Sequence, residues 1–156
     1  MLINLLKSIL HNLGVVLASL TLAYLASFID TALGFRTLDI SLLKGVGVLL
    51  ITAGFLLRVW AVTHFYTREM RVISLEPQSD LVTDGPYRYS RNPLYLGGNV
   101  FCFFGAGLLL GSPTMLALTA IHLPFIDLLI RREERQLQEK FGSEFREYKQ
   151  HVRRWV

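Results

Sequence analysis

Four long apolar stretches constrain this chain more than anything else in it: about Leu10 to Ile29, Leu42 to Val62, Pro93 to Leu110 and Thr114 to Ile130. Each is about the length a helix needs to cross a ~30 Å hydrocarbon layer. Inside lipid a backbone must satisfy its own hydrogen bonds, so such stretches fold as helices. With 156 residues, 52% of them hydrophobic, the chain has room for one domain. The expected fold is an all-α integral membrane protein of about four transmembrane helices, residues 1–156, with a cytoplasmic C-terminal helical segment. The N-terminal run carries Lys7 but no small-residue cleavage site, so it is expected to be a first helix. Cys102 is the single cysteine and lies inside an apolar run, which excludes a disulfide framework or a Cys-based metal site and predicts a small buried residue.

The charges sort the loops. Arg68, Arg71, Arg88 and Arg91 fall between the second and third spans, and Arg131, Arg132, Arg135, Lys140, Arg146, Lys149, Arg153 and Arg154 follow the fourth. Asp30 to Ser41, read as a polar loop, holds Arg36 alone. The positive-inside rule therefore predicts both termini in the cytoplasm. Basic residues that flank apolar spans serve topology and anionic lipid, so nucleic acid is not an expected partner. Arg58, near the end of the second span, is expected to snorkel to the interface, and Trp60, Phe65 and Tyr66 to form an aromatic belt there. Gly45, Gly47 and Gly54 offer close helix approach. Gly111-Ser112-Pro113 reads as a tight hairpin, with Ser112 as N-cap and Pro113 at the first helical position.

The least generic stretch is Leu81 to Gly98, LVTDGPYRYSRNPLYLGG. Gly85-Pro86 marks a turn, and Pro93 suits the first turn of the helix that follows. The amides near Leu94 and Tyr95 then lie at a positive dipole end, suited to an anionic or polar group. Because the third and fourth spans form a hairpin, this stretch must meet the segment after Ile130. That brings Arg91, Asn92 and Tyr95 near Arg131, Arg132, Glu133 and Glu134. Neighbours on a helix do not share a face, so of Glu133 and Glu134 one points inward and one sideways. The stretch Leu81 to Gly98 is expected to form the entrance wall of a ligand site at a membrane surface.

GPYRYSRNPLYLGG, followed by REERQLQEKFGSEFREYKQHVRR, resembles the isoprenylcysteine carboxyl methyltransferase family and its bacterial, phospholipid methyltransferase-like relatives. The likeness rests on the spacings G-x-Y-x-x-x-R-x-P-x-Y-x-G and E-E-x-x-L-x-x-x-F-G-x-x-[FY]-x-x-Y, and it covers roughly Leu81 to Arg154. It implies a multi-pass enzyme of the bacterial inner membrane that uses S-adenosylmethionine. It also implies a cofactor-binding region at about 79–98 and 131–154, in which Asp80, Leu81 and Val82 contact the adenine end. Tyr87, Asn92, Pro93, Leu94 and Tyr95 would line the cofactor, with Glu133 and the adjacent Glu134 binding its polar groups. The implied acceptor is lipophilic or small and reaches the site from membrane lipid. Two positions depart from the family. Asn92 stands where the prenylcysteine enzymes carry histidine, and Leu129 stands where they carry a substrate-binding arginine.

The alternatives are a phospholipid-amine or thiol acceptor, an NADPH-dependent membrane reductase, and a non-catalytic membrane scaffold. His64, Arg131 and Arg132 are the candidate catalytic side chains: an imidazole can act as general base, and either arginine can stand in for the missing one. Asp127 is spaced to pair with Arg131, and His122 to satisfy backbone groups freed by Pro124. No metal-ligand spacing, nucleophile elbow or phosphate loop occurs.

Overall fold

The computed structural model describes residues 2–70 and 79–156. Among the described residues there are four long helices and no strand: α1 (Leu2–Ala32), α2 (Ser41–Thr67), α3 (Pro93–Leu110) and α4 (Pro113–His151). All four are long and apolar enough to cross a membrane. The protein is an all-helical, multi-pass membrane protein. Large apolar side chains such as Leu49, Phe125 and Leu128 point outward, as surface that lipid can solvate.

The helices outrun the expected stretches. Asp30, expected in a polar loop, lies in the last turn of α1 and is only 4% exposed. Its carboxylate accepts the Ser112 hydroxyl and, at 2.9 Å, the Thr114 amide. An acid at the N-terminus of α4 complements the helix dipole and satisfies an orphan donor, and here it also ties α1 to the hairpin. The hairpin is built as expected. Gly111 takes a left-handed φ of 62°, Ser112 Oγ accepts the Met115 amide at 3.1 Å, and Pro113 begins the helix.

Small residues set the α2–α3 contact. A Cβ on Gly47 would sit 2.7 Å from the Gly105 carbonyl oxygen, and one on Gly54 would collide with the Gly97 carbonyl. Gly45, expected to share this role, faces open space. α3 is not a regular helix: it widens into a π-helical stretch at Leu96–Cys102. Adjacent glycines disfavour regular helix, and Gly97 and Gly98 leave room for the Arg58 side chain, whose Cγ and Nη1 lie 2.7 and 2.8 Å from where their Cβ atoms would be. Cys102 is fully buried in this stretch, as expected.

α4 continues past its apolar part into the charged segment, and its helical geometry breaks at Gly142 (φ 56°, ψ −114°). Phe145 and Tyr148 beyond the break are buried, and the Tyr148 hydroxyl donates to the Tyr87 carbonyl at 2.7 Å. The tail after α4 lies against the start of α3. The Arg91 amide donates to Arg153 O (3.0 Å), Arg91 Nη1 to Val152 O (2.8 Å) and Asn92 Nδ2 to Arg154 O (3.1 Å).

Candidate active site

A cavity of about 410 Å³ opens where these pieces converge. α1 and α2 supply His11, Val15, Arg58 and Phe65. The segment leading into α3 and its first turns supply Asp80, Leu81, Val82, Tyr87, Arg91 to Tyr95 and Asn99. Glu133, Glu134, Gln136, Leu137, Phe145 and Tyr148 close it from α4. The volume falls in the range of small-molecule sites, roughly 300–1,000 Å³. Asp80, Leu81, Val82, Tyr87, Asn92, Pro93, Leu94, Tyr95, Glu133 and Glu134, all expected at the site, line this one space. Of the segment before it, Arg71 lies outside the described residues.

The two adjacent acids divide their work as helix geometry requires. Glu134 is 8% exposed and held by two guanidinium groups: Arg91 reaches Oε1 at 2.7 Å and Arg154 reaches Oε2 at 2.7 Å. Arg154 also reaches Asp127 at 3.1 Å, and Asp127 pairs with Arg131 one turn on, as its spacing predicts. Both oxygens of Glu134 are therefore committed to a clamp that pins the tail, the start of α3 and α4 together. Glu133 differs. It is half-buried, and its one hydrogen-bond partner among the described residues is the Tyr95 hydroxyl, at 2.6 Å from Oε1. Its other oxygen has no hydrogen-bond partner among the described residues, and the side chain lines the cavity.

Tyr87 is 7% exposed, and its hydroxyl has no hydrogen-bond partner among the described residues. Burial pushes that phenol far above its usual range, so it stays protonated and able to donate. A buried unpaired hydroxyl costs about 1–3 kcal/mol, a cost that a ligand acceptor would remove.

Other expectations need correction. His64 does not line the cavity. Its Nδ1 donates to the Trp60 carbonyl (2.9 Å), and Gly85 packs directly on the other side of the ring. Arg131 and Arg132 are exposed on the outer face of α4 and do not reach the cavity either. Arg58 does not snorkel. It turns inward, with Nε on Asn12 Oδ1 (2.8 Å) and Nη1 on the Leu94 carbonyl (2.6 Å). Phe65 is buried at the cavity and not in an interfacial belt. His122 bonds the Asn99 side chain at 3.0 Å and stacks on Phe103, so its partner is no backbone group. Leu129 is exposed on the lipid side. His11 and Arg58 were the cavity groups least visible beforehand, since both lie within or beside apolar runs. The signal was their ionisable character at membrane depth.

Residues 43–144 match the phospholipid methyltransferase family, and the chain belongs to it. Two rice proteins, from Oryza sativa subsp. indica and subsp. japonica, are each 33% identical over 111 residues. Both bear the name "Probable protein-S-isoprenylcysteine O-methyltransferase". The match covers 69% of this chain and 57% of each rice chain, so the chain spans little more than half the length of these curated relatives. An uncharacterised protein of Haemophilus influenzae is 63% identical over 27 residues, 17% of this chain and 43% of that one. The likeness to isoprenylcysteine methyltransferases and their relatives, expected from the two motifs, therefore stands.

Proposed function

We propose that this protein transfers a methyl group from S-adenosylmethionine to a lipophilic acceptor at the cytoplasmic face of the membrane. The observation that carries the reading is the convergence of both motifs on one cavity, around a carboxylate oxygen and a buried hydroxyl, neither with a hydrogen-bond partner among the described residues. The cavity residues fit the proposed donor. Glu133 can accept from an ammonium or from ribose hydroxyls, and the Tyr87 hydroxyl can donate to a ring nitrogen or oxygen. Phe65, Tyr87, Phe145 and Tyr148 offer ring faces to an adenine and a cationic sulfur.

When bound, S-adenosylmethionine supplies a methyl group already activated on a sulfonium. An acceptor would bring a heteroatom with a free electron pair, and an amine or thiol would give up its proton to solvent where a carboxylate has none to lose. The chain's own part is then alignment and exclusion of water. Tyr95 holds Glu133 in one orientation, and the clamp on Glu134 holds α4 against the first turn of α3. Leu94, Leu137 and Phe145 keep the space dry. Amine, thiol and carboxylate acceptors all meet this description.

The orientation is inferred from the basic residues that surround this end of the bundle. One experiment tests direction and chemistry together. Membrane vesicles enriched in the protein are given S-adenosylmethionine with a labelled methyl group, and label in the organic extract is counted. Inside-out vesicles should label a lipid-phase product, and sealed right-side-out vesicles should not, because the charged donor does not cross the bilayer. Label confined to the aqueous phase, or equal in both preparations, would overturn the reading.

A further inference from the structure

The acceptors that fit this cavity differ in one respect: an amine or thiol carries a proton that must leave, and a carboxylate does not. Most ionisable groups lining the cavity cannot take that proton. Arg58 and Arg91 are cations at any ordinary pH, and Glu134 is held by two guanidinium groups. The hydroxyls of Tyr95 and Tyr148 already donate, to Glu133 and to the Tyr87 carbonyl, and burial keeps Tyr87 protonated. Three groups remain: Glu133 on α4, the exposed Asp80 in the segment leading into α3, and His11 on α1. Carboxylates, with an ordinary pKa of about 4, are weak bases near neutral pH, whereas an imidazole at about 6.5 is matched to that range. His11 makes no hydrogen bond to the described residues, so neither ring nitrogen is tied down there. It also stands where the cavity meets lipid. Val15, one turn on, lines the cavity with it, while Leu10 and Leu13 beside it are exposed on the apolar surface. Asn12, the next residue, is fully buried and accepts from Arg58, which fixes this turn of α1 against α2. His11 lies outside residues 43–144, so the family match assigns it no role.

We propose that His11 takes the proton from methyl acceptors that carry one, the amines and thiols. The step balances without a further reactant. The acceptor's lone pair forms the bond to the methyl carbon, and the electron pair of the broken carbon–sulfur bond stays on the donor's sulfur. The acceptor's proton passes to an imidazole nitrogen and from there to solvent. The charged groups that share the cavity with His11 are Arg58 from α2, Asp80 and Arg91 from the segment before α3, and Glu133 and Glu134 from α4. Lys7, one turn earlier on α1, is exposed. The inference rests on the methyl-donor reading, and it sorts that reading's acceptors by whether they need His11.

The test uses the full chain in lipid nanodiscs, S-adenosylmethionine with a labelled methyl group, and three probes with one tail: dodecanethiol, dodecylamine and dodecanoate. Wild-type protein should methylate the thiol or the amine, and which of them identifies the acceptor. His11→Ala should slow that reaction about a hundredfold or more, as for loss of a general base. Its affinity for the donor should stay within about twofold of wild type, which shows the variant is folded. The advantage of the thiol or amine over dodecanoate, which has no proton to lose, should shrink by the same factor. Imidazole added to the medium should restore part of the rate, and the rise of kcat with pH through the neutral range should flatten. A second readout needs no turnover. In protein labelled at its four histidine rings, the methylated probe should shift one NMR signal before any donor is added, and that signal should be missing from His11→Ala. A variant that slows all three probes alike, or stays within about twofold of wild type on thiol and amine, overturns the assignment. So does wild-type protein that binds the donor yet methylates dodecanoate alone, or no probe. If S-adenosylmethionine does not bind at all, the methyl-donor reading fails and the assignment falls with it.

Discussion

Glu134→Ala is expected to destabilise the protein by about 3–5 kcal/mol, the usual cost of removing one partner from a buried ion pair. The size follows from what is left behind. Arg91 and Arg154 would face each other across the vacated carboxylate, with side chains only 10% and 23% exposed. Arg91 would retain its bonds to the Val152 and Lys149 carbonyls, but nothing would neutralise it. Glu134→Gln keeps the shape and loses the charge, so it should fall between wild type and alanine. Converting Glu134, Arg91 and Arg154 together to apolar residues of similar size should cost less than Glu134→Ala alone, because no charge is then stranded. Thermal unfolding of the purified variants in one detergent checks the order. A Glu134→Ala variant as stable as wild type would show that the clamp contributes nothing, as exposed ion pairs often do.

Glu133→Gln is expected to act on binding and not on folding. The change is close to isosteric, and the amide oxygen can still accept from Tyr95. The charge presented to the ligand is lost. S-adenosylmethionine affinity should fall by roughly 1.5–3 kcal/mol, the range for a hydrogen bond to a charged group, which is about a tenfold to hundredfold rise in Kd. Glu139→Gln, exposed on the same helix, is the control and should change neither affinity nor stability measurably. Both variants should be compared at one ionic strength, since exposed charges are screened by salt. Equal small effects at the two positions would leave Glu133 as ordinary surface.

The paired behaviour of Glu133 and Glu134 shows what could and could not be read in advance. That the acids diverge, and that their helix meets the Pro93 turn, follows from periodicity and from a hairpin whose cap, Ser112-Pro113, is legible locally. Which acid is spent on the clamp is not legible, because Arg154 reaches Glu134 from a tail turned by the break at Gly142. The same limit explains Arg58. Its place in the chain says how far it lies from a helix end, but its direction is set by Asn12 on another helix and by two glycines on a third. Asp30 looked like loop because an acid at the end of an apolar run ordinarily meets water. Here Ser112 and Thr114, more than eighty residues on, meet it instead. Histidine near a membrane surface is chemically versatile, but the His64 ring is wedged between Trp60 and Gly85. The π-helical stretch left no periodic trace, being an outcome of packing at Gly97 and Gly98.

The central claim is that this cavity holds a methyl donor, and calorimetric titration of the purified wild-type protein tests it most directly. S-adenosylmethionine and NADPH are titrated in parallel into the same preparation. Saturable binding of S-adenosylmethionine at one site per chain, lost or weakened in Glu133→Gln, with no heat from NADPH, is the predicted result. Binding of NADPH instead, or of neither molecule by folded protein, would contradict it.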